Sequence, residues 1–249
     1  TTLDMDFKLV STTGGRNGIV LQRVDGTVTA LGGSLDSTAG VNNHVLDVRN
    51  ATVNLSYPGS INKTTNGSAV FVDNLTTPGG VITLSDTTTG TNGSSGVTIQ
   101  NSEGAVTFGT LRLGTNIAPF TFTPITLATN TGDVNLGDVD IFTNNANGLV
   151  INYANASPGT VSSTDGNIVS TGSAIALLIS HATTQPINLV LETISATGTG
   201  THAVNISRAS GTLAVTSSVN AGAKTTAGLA ITNCNIFNAT IRQLNVTGA

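Results

Sequence analysis

Three aspartates lie close together near the middle of the chain, at Asp133, Asp138 and Asp140. Two carboxyl groups can act as general acid and base on a glycosidic bond when they lie about 5 to 9.5 Å apart beside a cleft. Asp138 and Asp140 flank Val139, so on an extended strand both carboxylates point to the same side. The spacing therefore allows polysaccharide chemistry, although nothing in the pattern places a cleft beside these residues.

Two aromatic residues form a second candidate site. Phe120 and Phe122 lie in the longest turn, residues 114–124, between Pro119 and Pro124. Exposed rings at this position could stack on sugars. The same rings could instead fold back as a hydrophobic lid, because an exposed phenylalanine is unfavourable.

Tyr153, His181 and Arg208 occupy equivalent places in the repeat described below. Together they could bind an anion or a sugar, or they could be bulky residues at variable turns. No spacing of His, Cys and carboxylate suits zinc, and no Gly-rich stretch precedes a Lys-Ser/Thr pair. The sequence therefore predicts neither a metal nor a cofactor.

The composition narrows the class of protein. Of 249 residues only 9% are charged, with 9 Lys+Arg against 13 Asp+Glu, and there are 43 Thr, 29 Gly and 26 Asn. Strong helix formers are scarce, which favours an all-β fold. The lack of a basic cluster argues against nucleic acid, and no apolar run is long enough to insert into a membrane. A single cysteine, Cys234, leaves no internal disulfide, a usage common in exported surface proteins of bacteria.

A repeat of 24 to 28 residues runs through the chain. Its two aliphatic columns lie two positions apart, as expected for one buried face of a strand. The first column is Leu21, Val48, Val72, Ile99, Leu127, Ile151, Ile179, Ile206 and Ile231, and the second is Ile19, Leu46, Val70, Val97, Ile125, Leu149, Leu177, Val204 and Leu229.

Two further strands follow in each repeat. The inward column of the second strand is predicted as Val28, Val53, Ile82, Val106, Val134, Val161, Leu189, Leu213 and Ile241. The third strand is predicted at Leu35, Ile61, the Thr87 region, Leu113, Ile141, Ile168, Ile194, Val219 and Val246. Three short strands without room for a helix make each repeat one coil of a solenoid, and nine coils stack around one core. We therefore expect a single domain over residues 1–249.

The two ends lack obvious caps. Leu3, Met5, Phe7 and Leu9 alternate like the last strand of an earlier coil, and the last coil runs directly to the final residues. Open strand edges favour pairing with another chain. We expect the chain to be part of a longer protein, or to assemble end to end with neighbouring copies or domains.

These coils resemble the right-handed parallel β-helix, the pectin-lyase-like fold, over essentially the whole chain. Two residues after the first column, four of nine positions are Asn, similar to the asparagine ladder of that family: Arg23, Asn50, Asn74, Asn101, Thr129, Tyr153, His181, Arg208 and Asn233. The resemblance implies a fold that hosts lyases, hydrolases, phage spikes and surface adhesins. Its enzymes cut acidic polysaccharide with clustered Asp and Arg or Lys, often with Ca²⁺, which points to Asp138, Asp140 and Arg112 as catalytic candidates.

The repeat places Arg112 one coil below Asp140, because both follow their column residues by the same interval. An inter-coil ion pair explains this arrangement as well as an active site does. We therefore expect a non-catalytic extracellular or cell-surface β-helix, a stalk, passenger, adhesin or filament segment that could contact polysaccharide or another surface ligand. The alternative is a polysaccharide-active enzyme or phage-spike domain. A Thr-rich face suggests ice binding as a lesser alternative, although only Thr27 and Thr29 form a complete Thr-x-Thr pair on the second strand.

Overall fold

The computed structural model describes residues 2–38, 43–77, 79–91, 96–152 and 158–247. In this part of the chain all regular structure is β, and the strands form a parallel solenoid of about nine turns. Every strand pairs in parallel with the equivalent strand one coil away, so three sheets run along the stack. The predicted all-β coil architecture is confirmed.

The strands are β1 (Thr2–Phe7), β2 (Ile19–Gln22), β3 (Asp25–Ala30), β4 (Ser34–Ser37), β5 (Leu46–Tyr57), β6 (Ser60–Lys63), β7 (Val70–Leu75), β8 (Val81–Gly90), β9 (Val97–Gln100), β10 (Ala105–Leu113), β11 (Ile125–Ala128), β12 (Val134–Asn135), β13 (Asp138–Asn144), β14 (Leu149–Ile151), β15 (Val161–Ser163), β16 (Asp165–Thr171), β17 (Leu177–Ala196), β18 (His202–Ala221), β19 (Ala227–Thr232), β20 (Phe237–Ile241) and β21 (Leu244–Val246). Several longer strands continue around a corner from one sheet into the next.

The strands divide among the three sheets as follows. Sheet 1 is formed by β2, β7, β9, β11, β14, β19 and the first parts of β5, β17 and β18. Sheet 2 is formed by β1, β3, β12, β15, β20, the second part of β5, the first parts of β8 and β10, and the middle parts of β17 and β18. Sheet 3 is formed by β4, β6, β13, β16, β21 and the last parts of β8, β10, β17 and β18.

Both aliphatic columns of sheet 1 are confirmed in every coil. Each column residue pairs with the next one along the stack, for example Leu21 with Val48 and Ile151 with Ile179. Inside the stack these side chains are excluded from water, whereas Ile231 in the last coil is 37% exposed. The columns therefore form a continuous aliphatic core that ends in partly open faces.

The turn after sheet 1 has the expected left-handed backbone. Positive φ angles occur at Arg23, Asn50, Asn74, Asn101, Thr129, Arg208 and Asn233. Asn tolerates this conformation better than most residues. The Asn74 amide donates to Asn50 Oδ1 at 2.9 Å, as a ladder requires, but the Asn101 amide donates to Asp73 Oδ1 instead. At His181 the chain stays extended within β17, and Tyr153 lies outside the described residues.

The predicted row of sheet 2 is wrong in part. Val28 pairs with Leu55 rather than Val53, and Val161 pairs with Ile187 rather than Leu189. Val53 lies opposite Gly26, whose φ of 113° and close approach to Leu3 O leave no room for a Cβ. Gly26 takes the inward position that Val53 takes in the next coil. The first aliphatic inward residue of this coil, Val28, therefore lies two residues after the position equivalent to Val53.

A similar displacement occurs later in sheet 2 and in sheet 3. Ile241 pairs with Val215, so it lies two residues away from the row of Leu213. The polar Thr88 pairs with Leu111. Leu113 pairs instead with Gly90, and Val246 pairs with Ala221 rather than Val219. The displaced residues inside the stack are still buried, because a shift by two preserves the inward side of a strand.

The first strand was expected to be the last strand of an earlier coil, but it lies in the place of that coil's second strand. Met5 pairs with Val28, so β1 extends sheet 2, and Thr12 then forms a bridge with Leu35 in sheet 3. Alternation of apolar residues is the same in all three sheets, so the pattern did not determine the sheet. Among the described residues there is no helix long and apolar enough to cross a membrane.

Candidate functional site

Arg112 and the carboxylates of Asp138 and Asp140 meet on the outer side of sheet 3. β10 and β13 pair so that Arg112 lies beside Asp140, and Asp138 comes two residues earlier on β13. Arg112 Nη2 lies 2.5 Å from Asp138 Oδ2, and Arg112 Nε lies 3.2 Å from Asp140 Oδ2. The three side chains are 24 to 38% exposed. The strand register predicted from the sequence therefore brings all three together.

The polar atoms of this group are engaged with one another and with the backbone. Arg112 also donates to the carbonyl oxygens of Leu111 and Asp138. Asp140 Oδ1 accepts from both the backbone N–H and the side-chain amide of Asn167, each at 3.0 Å. The hydrogen bond that Arg112 donates to Asp138 raises the pKa of Arg112, against a smaller opposing effect of burial. The arrangement ties three coils together along the stack axis.

Asp133 does not belong to this group. It precedes β12 in sheet 2, where its Oδ1 accepts from the backbone N–H of Thr160 at 2.7 Å. Cavities of about 440, 470 and 320 Å³ occur in the described part of the chain, but their lining includes neither Arg112 nor the two paired aspartates. The carboxylate pair lies on the outer, partly exposed face of sheet 3.

The two phenylalanines of the long turn have different environments. Phe120 is buried, its backbone N–H donates to Phe142 O at 2.9 Å, and it forms a bridge with Thr143. Phe122 is 59% exposed. Phe120 therefore packs inside the stack, and Phe122 is the ring of this turn that is exposed to solvent.

His181 and Arg208 both bond to backbone groups next to the end of sheet 1. The Thr183 backbone N–H donates to His181 Nδ1 at 2.8 Å, and burial lowers the pKa of this histidine. Arg208 Nη1 donates to the carbonyl oxygens of Ala182 (2.9 Å) and His181 (3.3 Å). The third member of the group, Tyr153, lies outside the described residues. The two described side chains therefore stabilise the backbone around them through hydrogen bonds.

One cluster of aromatic and charged side chains was not predicted from the sequence. On the outer side of sheet 1, Phe71 stacks on His44 with ring centroids 4.3 Å apart, and the Arg49 guanidinium lies 4.5 Å from the Phe71 centroid. Arg49 Nε lies 2.6 Å from Asp47 Oδ1, and the Asp47 carboxylate is nearly buried. Burial lowers the pKa of His44, with a smaller opposing effect of Asp47. Asp47 and Phe71 each lie between the two aliphatic columns of their coil, so both point outward and they are neighbours on successive coils. This position in the repeat is the signal that could have predicted the cluster.

Sheet 1 also carries a shallow groove on its outer side. Its lining includes Thr123, Thr126, Ala128, Val150 and Asn152, in a volume of about 320 Å³. Thr123 directly follows the exposed Phe122. The threonine hydroxyls and the Asn152 amide are polar groups of the kind that orient a bound ligand. This groove, with Phe122, is the candidate contact surface.

Among the described residues, no group of three or more His, Cys, Asp or Glu side chains could hold a metal ion. No family model, no curated protein and no solved structure matches the chain.

Proposed function

We propose that this chain is a non-catalytic, extracellular or cell-surface β-helix of the right-handed, pectin-lyase-like kind. In this proposal it is a stalk, passenger, adhesin or filament segment, and it presents its outer faces to polysaccharide or another surface ligand. The observation that carries the proposal is the Arg112–Asp138–Asp140 group. Its carboxylates accept bonds from Arg112 and Asn167 on an exposed sheet face, whereas a general acid or base needs a protonation change beside bound substrate.

The surface chemistry supports contact without turnover. Only 9% of residues are charged, and the 43 Thr and 26 Asn of the chain offer neutral hydroxyl and amide groups. A long repetitive face of this kind suits many weak contacts, whose combined avidity can exceed that of a single site.

An activity assay separates this proposal from the polysaccharide-enzyme alternative. The protein is incubated with pectate, other uronate polymers and neutral polysaccharides, with and without Ca²⁺, and reducing ends and unsaturated products are measured. We expect no turnover on any of them. Turnover that is lost in Asp138→Ala or Asp140→Ala, but retained in the control Asp133→Ala, would replace this proposal with the enzyme.

A binding assay tests the adhesive part. The protein is displayed at high density on beads and compared with the free chain on immobilised polysaccharides. We expect retention only in the multivalent format, and a weaker retention for Phe122→Ala than for Thr121→Ala. Equal retention of both variants would remove Phe122 from the contact surface.

A further inference from the structure

Three Asn–Gly pairs lie in the described part of the chain, Asn17–Gly18, Asn66–Gly67 and Asn147–Gly148. An asparagine before a glycine can lose its side-chain amide without an enzyme, when the backbone nitrogen of the glycine attacks the asparagine Cγ. Glycine allows this approach because it has no side chain to obstruct it. In a folded chain the pair reacts only where its surroundings leave both the nitrogen and the side chain free.

Two of the three pairs are held by the neighbouring coil. The Gly18 N–H donates to Val45 O at 2.8 Å, and the Gly148 N–H donates to Ile175 O at 3.0 Å. Asn147 Oδ1 also accepts from the backbone N–H of Ile175 at 3.0 Å. At both pairs the attacking nitrogen must first give up a hydrogen bond, and the Asn147 side chain must also leave its donor.

The pair Asn66–Gly67 has neither restraint. It lies in the turn between β6 and β7, and the Asn66 side chain is exposed to water. Among the described residues, nothing accepts a hydrogen bond from the Gly67 N–H, and the Asn66 side-chain amide has no hydrogen-bond partner. Both reacting groups are therefore free in the folded chain.

The stacking of coils requires the glycine of this pair. Gly67 has a φ of 119°, and a Cβ there would lie 2.1 Å from Asn43 O in the coil below. Two residues later the backbone is bonded again, since the Ala69 N–H donates to Gly96 O at 2.8 Å. The turn therefore keeps an unobstructed backbone nitrogen next to an exposed asparagine, at a position where a side chain that would slow the attack does not fit.

We propose that Asn66 is a site of spontaneous deamidation, a covalent modification that needs only water and hydroxide. Hydroxide removes the Gly67 amide proton, the nitrogen forms a bond to Asn66 Cγ, and the Cγ–Nδ2 bond breaks. Ammonia leaves with a proton taken from water, which restores the hydroxide, and a succinimide ring remains.

Water then opens the ring at one of its two carbonyl carbons. Opening at Cγ gives aspartate, and opening at the backbone carbonyl carbon gives isoaspartate, whose main chain runs through Cβ and Cγ. The sum is the hydrolysis of one amide, without oxidation or reduction. Either product adds a negative charge to a chain that has few charges, and isoaspartate also lengthens the turn by one main-chain atom. The inference is independent of what the outer faces bind.

The test follows all three pairs while the intact chain is incubated at neutral and at mildly alkaline pH. Peptide mapping by tandem mass spectrometry measures the deamidated fraction at each asparagine and separates Asn66 from Asn92, which lies outside the described residues. Electron-transfer fragmentation distinguishes aspartate from isoaspartate. We expect Asn66 to react at least about tenfold faster than Asn17 and Asn147, because hydrogen-bonded amides react only through local opening.

The same reaction in urea separates the effect of the fold from that of the local sequence. All three pairs have the same two residues, so in the unfolded chain their rates should agree within about threefold, once the protection by hydrogen bonds is lost. In the folded chain the rate at Asn66 should rise with pH, since the attacking nitrogen must lose its proton, and both products should form.

Two variants serve as controls. Asn66→Gln keeps a side-chain amide but needs a larger, six-membered ring, so modification in this turn should disappear while circular dichroism stays unchanged. Asn17→Gln should leave the rate at Asn66 unchanged.

Three results would overturn the proposal. The first is a rate at Asn66 in the folded chain that is no higher than at the other two pairs. The second is a preference for Asn66 that persists in urea, which would assign it to the local sequence. The third is aspartate without isoaspartate, since direct hydrolysis of the side chain gives only aspartate. All three are measured on the unsubstituted chain, so they do not depend on the folding of any variant.

Discussion

Polar side chains in this solenoid bond mainly to the same position one coil away. Thr52 and Thr76 hydroxyls lie 2.7 Å apart, Thr212 donates to Asn188 at 2.6 Å, and Arg112 contacts Asp140 in the same manner. Stacking of like positions brings these groups together wherever the register is fixed. An acid–base pair on the outer face therefore follows from the architecture and needs no catalytic role.

The Arg112 group is expected to contribute little to stability. Arg112→Gln and Asp138→Asn should each lower the free energy of unfolding by at most about 1 kcal/mol, because exposed ion pairs are screened by solvent. Urea unfolding at low and high salt checks this, with Arg242→Gln as a control for removing a charge elsewhere. A loss above about 3 kcal/mol would show that the pair holds the coils together.

Tyr57 predicts a specific loss of stability at high pH. Its side chain is buried, its hydroxyl donates to Val10 O at 3.1 Å, and burial, with the charges of Asp36 and Asp86, raises its pKa to about 12. The unfolded chain ionises near pH 10, so stability is intact below pH 10 and is lost as pH rises from 10 to 12. Tyr57→Phe should lose about 1 kcal/mol at pH 8 and lack this added alkaline dependence.

The measurement is urea unfolding between pH 8 and pH 12, together with ultraviolet titration of the phenols. The chain has two tyrosines, so Tyr153→Phe leaves Tyr57 as the sole phenol and serves as the control. Titration of that remaining phenol near pH 10 in the folded protein would contradict the assignment.

At the residue level the sequence predicts which side chains share a coil position, but not what completes their bonding. Arg112 and Asp140 have the same interval from the aliphatic column, and they do pair. The backbone N–H of Asn167 on Asp140 and the stacking of His44 on Phe71 depend on side-chain conformation and on turn geometry. Phe120 is buried and Phe122 is exposed for the same reason: both lie in one turn, and the path of that turn decides which ring packs inside the stack.

At the level of strands, sheet 1 could be predicted completely, whereas sheets 2 and 3 could be predicted only to within two residues. Sheet 1 has two adjacent aliphatic columns without a gap. These columns determine both which face of the strand points inward and which residues of successive coils are paired. In the other sheets Gly26, Thr88 and Gly90 take positions in the inward rows. Because the turns also vary in length, the pattern does not determine which residues of successive coils are paired. The period of two still determines which face of the strand points inward.

Sheet 1 predicts a strong effect of charge in its core. Ile151 is fully buried between Leu127 and Ile179, so Ile151→Asp would place an unpaired carboxylate in the core and should cost at least about 4 kcal/mol. Asn152→Asp adds the same charge on the exposed side and should change stability by less than about 1 kcal/mol. Circular dichroism and thermal melting check both, and a parent-like melt of Ile151→Asp would show that the column is not inward.

Sheet 3 contains a glycine that the stacking requires. Gly166 has a φ of 128°, and a Cβ there would lie 1.9 Å from Val139 O in the coil below. Gly166→Ala should therefore lose at least about 2 kcal/mol. Gly79 also has a positive φ, 102°, but its Cβ position is open, so Gly79→Ala should lose only about 1 kcal/mol. Equal losses in urea unfolding would mean that backbone strain alone, and not the contact between coils, sets the cost.

At the scale of the whole stack, the first and last described coils expose chemically different faces. In the last coil β19, β20 and β21 pair with β18, and their other edges are unpaired among the described residues. Ile236 and Leu244 are 83% and 47% exposed there, and Leu9 is 67% exposed at the opposite end. We propose that copies of this stretch stack end to end, in which case contact between unlike ends is heterologous and repeats without closure into filaments.

End-to-end association should therefore depend on concentration and on these apolar residues. Light scattering should show a mass that rises with concentration, and electron microscopy should show thin filaments. Leu244→Lys with Val246→Lys should suppress both, whereas Thr126→Lys on the side of the stack should not. A 25 kDa particle at every concentration would contradict this prediction.

The interval of 24 to 28 residues between paired strands has a consequence for how the chain folds. Every coil closes a loop of nearly the same length, so the entropy cost of adding a coil is nearly constant along the stack. Once two coils have formed, each further coil has a finished template, and growth can proceed in either direction from any starting point. A chain that emerges gradually, from a ribosome or through a membrane, can therefore fold coil by coil without waiting for its last residue.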